Sequence, residues 1–338
     1  MTAADVAGLP APVTGPGFAR EGEHADVAVL VVTYRNAEHV EQLITTLRAQ
    51  TGDDQRLRVV MVDNDSDDGT LEAIRAHDDV VAVAAGGNLG YAGGVNVAME
   101  HAGDAAAVLV LNSDLELRPG CIEALRARLA TSGPGVAVPH IVDLEGTTYP
   151  SLRREPSLLR AIGDAACGPL FPGRPGALSE TIFDPARYEQ VGTADWATGA
   201  ALFISRSVAD TVGPWDEQFF LYSEETDFLR RVREAGFTVW YEPAAEVCHE
   251  RGGSGRSVEL IKLMNVNRVR YVRKHHGRPY AALYRALVML HAAARAYRPV
   301  DREVLRTLAR EGSWSSLLQA SGPEAMSPAL PAEGGSSR

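Results

Sequence analysis

No stretch of this chain is apolar and long enough to cross a bilayer. The best candidate, ALVMLHAAARAY at 286–297, is short and broken by His291 and Arg295. The first 26 residues carry Pro, Gly, Asp and Glu and lack the continuous apolar core of a signal peptide. A cytosolic protein is therefore expected. Cysteine is scarce, with three in 338 residues (Cys121, Cys167, Cys248) at no metal-finger spacing. That excludes a disulfide framework and a zinc finger, and it suits a reducing compartment. Missing too are the G-x-G-x-x-G of a dinucleotide site and the G-K-[ST] of a phosphate-binding loop, which speaks against a dehydrogenase and a P-loop hydrolase. DNDSDDGT has alternating acids like a calcium loop, but its sixth position is Asp68 and its twelfth Ile74, where Gly and Glu are needed.

Charge is present but unevenly spread. The net value is −11, yet residues 256–311 hold 13 Lys or Arg against four acids, so that segment is +9 and the remainder −20. An acidic body argues against nucleic acid as a partner. A basic helical segment, by contrast, suits a solvated surface or peripheral contact with anionic lipid on the inner face of the membrane.

The pattern that organises the chain is AVLVLNSDLEL at 107–117, a buried strand running into Asn112, Ser113 and Asp114. VAVLVVTYRN from Val27 and LRVVMVDNDS from Leu57 likewise end in polar clusters, and helices follow both. Strand alternating with helix at this spacing predicts an α/β fold with a mostly parallel central sheet, whose carboxyl edge is where such sheets bind ligands. GGNLGYAGG at 86–94 implies a close backbone approach. Residues 143–192 are expected to be irregular, and FTVWYEP and AEVCHE to be two short strands. Phe228, Val232 and Ala235 should face inwards from the helix after 223. In the C-terminal helices Leu283, Leu287 and Leu290 read as a packing seam. The expected organisation is a disordered segment over 1–25, a catalytic domain over 26–255, a basic helical segment over 256–318 and a disordered tail over 319–338.

Two sets of residues carry chemistry. Asp114 and the late His249 form a carboxylate and imidazole pair suited to Mn²⁺ or Mg²⁺ when diphosphate oxygens and water complete the shell. Glu224, Glu225 and Asp227, beside the aromatic run Phe219, Phe220 and Tyr222, cluster at a helix start. There one of them can serve as a general base of raised pKa, while others stabilise the helix dipole.

VVTYRN, VDNDSDDGT, NLGYAGGVN, LNSD, the TGA of 198–200, WDEQFFLYSEETDFLRR and His249 fall in the order seen in inverting family 2 glycosyltransferases of GT-A fold, which the chain resembles over roughly 27–275. The likeness is greatest to the rhamnosyltransferase branch that serves bacterial cell-wall and surface polysaccharides. This resemblance implies a nucleoside-diphosphate sugar donor held by Thr33, Tyr34, Arg35 and Asp63, with Asn88, Gly90, Asn112 and Ser113 lining its pocket. It implies Asp114 as the last acid of a D-x-D motif whose first position is here Asn112, and His249 as the C-terminal metal ligand. Glu225 stands where the family has its base, with Glu224 and Asp227 as rivals. Arg251 and Ser254 in RGGSGR are implied diphosphate donors or a flap. The implied acceptor is a glycan or a polyprenyl-linked sugar, and the implied donor dTDP-rhamnose, with a UDP-sugar donor or a non-catalytic sugar-nucleotide-binding subunit as alternatives.

Overall fold

The computed structural model describes residues 17–52, 55–167, 175–249, 257–315 and 317. The chain opens with β1 (Val27–Thr33), α1 (Ala37–Arg48), β2 (Leu57–Asp63), α2 (Thr70–Arg75), β3 (Val81–Ala84), α3 (Gly90–Glu100) and β4 (Ala107–Asn112). β1, β2 and β4 are buried almost throughout because helices cover both faces, which is why they read as unbroken apolar runs. Next come β5 (Leu115–Leu117), α4 (Cys121–Ser132), β6 (Gly135–Val142), β7 (Leu152–Arg153), α5 (Leu158–Cys167), β8 (Gly192–Thr193), β9 (Trp196–Ala197), β10 (Ala201–Ser205) and α6 (Arg206–Val212). The remainder is α7 (Glu224–Glu234), β11 (Thr238–His249), α8 (Val258–His275), α9 (Arg278–Ala294) and α10 (Pro299–Ala309).

The sheet order is β3-β2-β1-β4-β10-β6-β11-β5, with β8 on β11. β1 to β4 are parallel, whereas β10 runs antiparallel to both its neighbours and β5 runs antiparallel to β11. Thr33, Asp63 and Asn112 therefore end three adjacent parallel strands at one edge. α3 lies close over β1, since a Cβ on Gly94 would stand 2.5 Å from Val32 Cγ1.

Several expectations change. Residues 17–25 are not loose in the part described: the Ala19 N–H donates to the Leu57 carbonyl (2.7 Å), and Phe18 and Ala19 are buried, which extends the core past the first strand. The stretch 143–192 contains β7, α5 and β8. α5 forms because Ala161 and Leu158 pack on the C-terminal helices. The two expected strands are one, β11 (Thr238–His249), with an irregularity between Glu242 and Glu246. Ala235 is exposed, because α7 has already ended and Gly236 takes φ 87°. The expected seam of α9 divides: Leu287 packs against the C-terminal core, but Leu283 and Leu290 are exposed, and Ala281, Tyr284, Val288 and Ala292 form the buried face. The small Ala281 and Ala292 let α9 approach its neighbours on that side.

Gly94→Ala should lower stability by about 1–3 kcal/mol, the usual cost of overpacking, despite alanine's better helix propensity. A denaturant melt showing no loss would mean that α3 can ride off β1 without strain.

Candidate active site

At the carboxyl edge the strand ends and the start of α3 enclose a cleft of about 150 Å³. Thr33, Tyr34, Asn88, Gly90, Asn112, Ser113 and Asp114, all singled out in the sequence, line it. The Asn88 side chain accepts from the Gly90 N–H (3.0 Å) and shapes the turn into α3. Gly90 has φ 73°, and a Cβ there would lie 2.3 Å from the Phe220 carbonyl oxygen. That carbonyl accepts from the Tyr91 N–H at 2.6 Å. Here a glycine is required by both conformation and space.

Asp63 and Arg35 sit beside this cleft rather than in its wall. The Asp63 carboxylate accepts from the Ser66 hydroxyl (2.5 Å), the Ser66 N–H (3.0 Å) and the Thr33 hydroxyl (3.2 Å), so it braces the loop after β2. Arg35, at φ 53°, donates to Asp67 (2.7 Å). Asn64 was missed by sequence reasoning although it adjoins Asp63: it is buried, its amide donates to the Gly90 carbonyl (2.9 Å), and it lines the cleft. Five buried polar atoms around the site meet no hydrogen-bond partner, namely Tyr34 Oη, Asn64 Oδ1, Thr198 Oγ1, Glu224 Oε2 and Glu225 Oε2. Buried polar groups are rarely left so, and where several converge on a cleft a polar ligand is the ordinary explanation.

β5 begins directly after Asp114 and pairs with the end of β11, with Leu115 opposite His249. This register brings Nε2 of His249 within 3.2 Å of Oδ1 of Asp114. Among the described residues no three His, Cys, Asp or Glu side chains converge as a ligand set. The pair fits a hard cation only where diphosphate and water fill the rest of a shell of about six ligands. Arg251 and Ser254 lie outside the described residues.

The three acids of α7 separate clearly. Glu224 is buried and Glu225 nearly so; burial raises both carboxyls above the usual range, and the charge of Glu225 raises Glu224 further. Backbone N–H donors and the nearby Arg153 pull Glu225 partly back. Burial opposes charge on Asp227 too, but His275 (2.7 Å), Lys274 (2.7 Å) and Arg231 (2.9 Å) overcome it and hold its pKa down to about 2. Tyr91, whose hydroxyl donates to the Gly199 carbonyl (3.2 Å), has a pKa raised by burial and then by Glu224, Glu225 and Asp114. The acid pair and the Asp114–His249 pair therefore share one neighbourhood.

The loop before α7 is strained, with positive φ at Phe220 (41°), Tyr222 (67°) and Ser223 (74°). It is pinned from α8: the amide nitrogen of Asn267, fully buried, lies 2.8, 2.9 and 3.1 Å from the carbonyls of Phe219, Leu221 and Tyr222. Nothing in the sequence singled this asparagine out.

Residues 28–181 match the model of the family described as "Glycosyl transferase family 2". The N-acetylglucosaminyl-diphospho-decaprenol L-rhamnosyltransferase of Mycobacterium tuberculosis is 35% identical over 241 residues, covering 67% of this chain and 76% of that protein. The chain belongs to glycosyl transferase family 2. It is thus a transferase, with a mostly parallel sheet of GT-A type. Two solved structures share that fold. The Pyrobaculum calidifontis mannosyltransferase with GDP-mannose and Mn²⁺ superposes with TM-score 0.51 at 18% identity, over 92% of this chain and 80% of the other. GalNAc-T7 with UDP, GalNAc and Mn²⁺ gives 0.56 at 15% identity, over 87% and 56%.

Asn267→Ala should destabilise the transferase by about 1–3 kcal/mol, the cost of leaving buried carbonyls unpaired. Asn267→Asp, which cannot donate, should do no better. Thermal melts of both variants that match the wild type would show that the strained loop holds itself.

Proposed function

We propose that this transferase is an inverting enzyme that moves a sugar, rhamnose from dTDP-rhamnose, onto a polyprenyl-linked glycan acceptor. The observation that carries the reading is the buried Glu224–Glu225 pair of raised pKa, set near a cleft bordered by Asp114 and His249. The choice of donor and acceptor is supported by the mycobacterial relative, whose name specifies both a rhamnosyl group and a diphospho-decaprenol acceptor. The Mn²⁺ in two fold neighbours supports a divalent cation, Mn²⁺ or Mg²⁺.

In a single displacement the acceptor hydroxyl oxygen bonds to the anomeric carbon as the bond from that carbon to the diphosphate oxygen breaks. Glu225 accepts the hydroxyl proton, and the nucleoside diphosphate departs with the bonding electron pair. Burial raises both carboxyls, and Glu225, with backbone donors and Arg153 to favour its charge, is the member that ionises. Asp227, bound by Arg231, Lys274 and His275, holds α7 in place and is not the base. Thr33, Tyr34, Asn64, Asn88, Asn112 and Ser113 hold the donor, and Gly90 gives it room. Asp114 and His249 would hold the cation, which when bound offsets charge on the leaving diphosphate. The basic segment 256–311 would bring the enzyme to an anionic membrane surface, where a polyprenyl-linked acceptor resides.

Glu225→Gln should cut turnover about 10²–10⁴-fold, the range for a lost general base, with nucleotide binding kept. Because the base works ionised and its pKa is raised, wild-type kcat should climb with pH through a midpoint above the ordinary carboxylate range. A flat profile, or full turnover in the variant, would remove Glu225 from the role.

Calorimetry with dTDP, UDP and GDP should show one nucleotide preferred, and Mn²⁺ should bind measurably only in its presence. Tight Mn²⁺ binding without nucleotide would contradict a two-ligand site, and preference for UDP would replace the donor.

A further inference from the structure

The outward face of α9 is inverted relative to a solvated helix. Leu283, Ala286, Leu290, Ala293, Ala294 and, just past the helix end, Tyr297 are all exposed, with Leu283 at 52%, Leu290 at 60% and Tyr297 at 72%. The ionisable residues of the same stretch turn inwards. Arg285 meets Glu311 and the Leu308 carbonyl, His291 lies 2.9 Å from the Asp164 carbonyl, and Arg295 lies 2.8 Å from His291. α5 runs alongside, tied at Leu158 to the Tyr280 hydroxyl and at Asp164 to His291, and it adds exposed Leu159 (51%) and Ile162 (47%). Exposed Arg278 and Arg298 stand at the two ends of the α9 face, and on the adjoining α10 Arg302 is exposed while Arg306 pairs with Glu303. A solvated helix places its charges outside, and grouped exposed apolar side chains with a polar rim mark an interaction surface.

We infer that this face of α9, with Leu159 and Ile162 of α5, inserts into the headgroup layer of an anionic bilayer. The inference rests on the proposed peripheral membrane contact and adds to it an apolar anchor with named residues. Charge decides the occupant. A two-fold contact between copies would set the arginine rim against itself, whereas anionic headgroups neutralise it around inserted leucines. Tyr297, apolar in body and polar at its tip, suits the interface. Among the described residues no helix is long and apolar enough to cross a membrane, so the contact is lateral. The same α9 packs on α8, which carries Leu260 at the cleft and Asn267 at the strained loop, so docking orients the active site against the lipid.

The test is co-sedimentation of the full chain with phosphatidylglycerol–phosphatidylcholine vesicles at low and high salt, using the wild type, Leu283→Glu/Leu290→Glu and Leu283→Ala/Leu290→Ala. Thermal melts and nucleotide calorimetry run on the same samples. The wild type should bind and keep part of its binding at high salt. The glutamate variant should bind about tenfold or more weakly and the alanine variant in between, with melts and nucleotide binding unchanged. Binding abolished by salt and indifferent to both variants would overturn the apolar anchor while leaving charge-driven contact standing. A wild-type dimer dissolved by the glutamates would make a second copy the occupant. Wild type that ignores vesicles yet binds nucleotide would sink the membrane surface alone, and vesicle binding without nucleotide binding would sink the donor assignment alone.

Discussion

The site depends on a ladder three residues long. β5 is almost too short to be a strand, yet its pairing with the end of β11 joins two parts of the chain 135 residues apart and sets Asp114 against His249. The ladder works only because β11 shifts register. Its first half runs parallel to β6 up to Glu242, the irregularity skips to Glu246, and the second half continues along β6 while meeting β5 on its other edge. Arg118 closes the corner by donating its N–H to the Glu246 carbonyl (3.0 Å). An unbroken β11 would place every side chain after Glu242 in a different register, and His249 would not oppose Leu115.

A second constraint ties the C-terminal helices to the chemistry. The positive-φ run at Phe220, Tyr222 and Ser223 is held on one side by the start of α3, through the Tyr91 N–H, and on the other by Asn267 of α8. Phe219 is buried with the apolar residues of α8 and α9. Since Leu260 also lines the cleft, the basic helical segment is part of the active-site wall rather than an appendage. Strain of this kind persists where surrounding structure over-determines it, and here two separate elements do so.

The parallel strands and their polar ends were legible because both faces of the sheet are covered, which turns each strand into an unbroken apolar run that stops where the edge begins. The resemblance of ordered motifs pointed to Thr33, Tyr34, Asn88, Gly90, Asn112, Ser113 and Asp114 in the cleft wall, but not to Asn36, Asn64, Tyr91 or Leu260. Other features left no such trace. Asn267 acts through three carbonyls, and a carbonyl has no residue identity to read. α5 is a short amphipathic helix that packs on α9, but it lay hidden because prolines and glycines surround it. Leu283, Leu287 and Leu290 do have helical spacing, but spacing reveals that a stripe exists and not which way it points. α9 has apolar residues on two faces, and the one with Ala281, Tyr284, Val288 and Ala292 is the buried one.

The acids of α7 illustrate how one helix end assigns different work to identical chemistry. All three lie in the first turn, where the macrodipole favours negative charge, so the dipole cannot distinguish them. Partners do. Asp227 is met by Arg231 from its own helix and by Lys274 and His275 from the end of α8, and these hold it ionised. Among the described residues no such partner reaches Glu224, whose desolvation is answered by its own backbone N–H and worsened by the charge beside it. Glu225 is nearly as buried, but has more backbone donors and Arg153 within electrostatic range. Two carboxyls this close resist ionising together, so the proton stays on the one with less support. Backbone donors and Arg153 thus favour charge on Glu225 over Glu224, which is the physical basis for proposing Glu225 as the base.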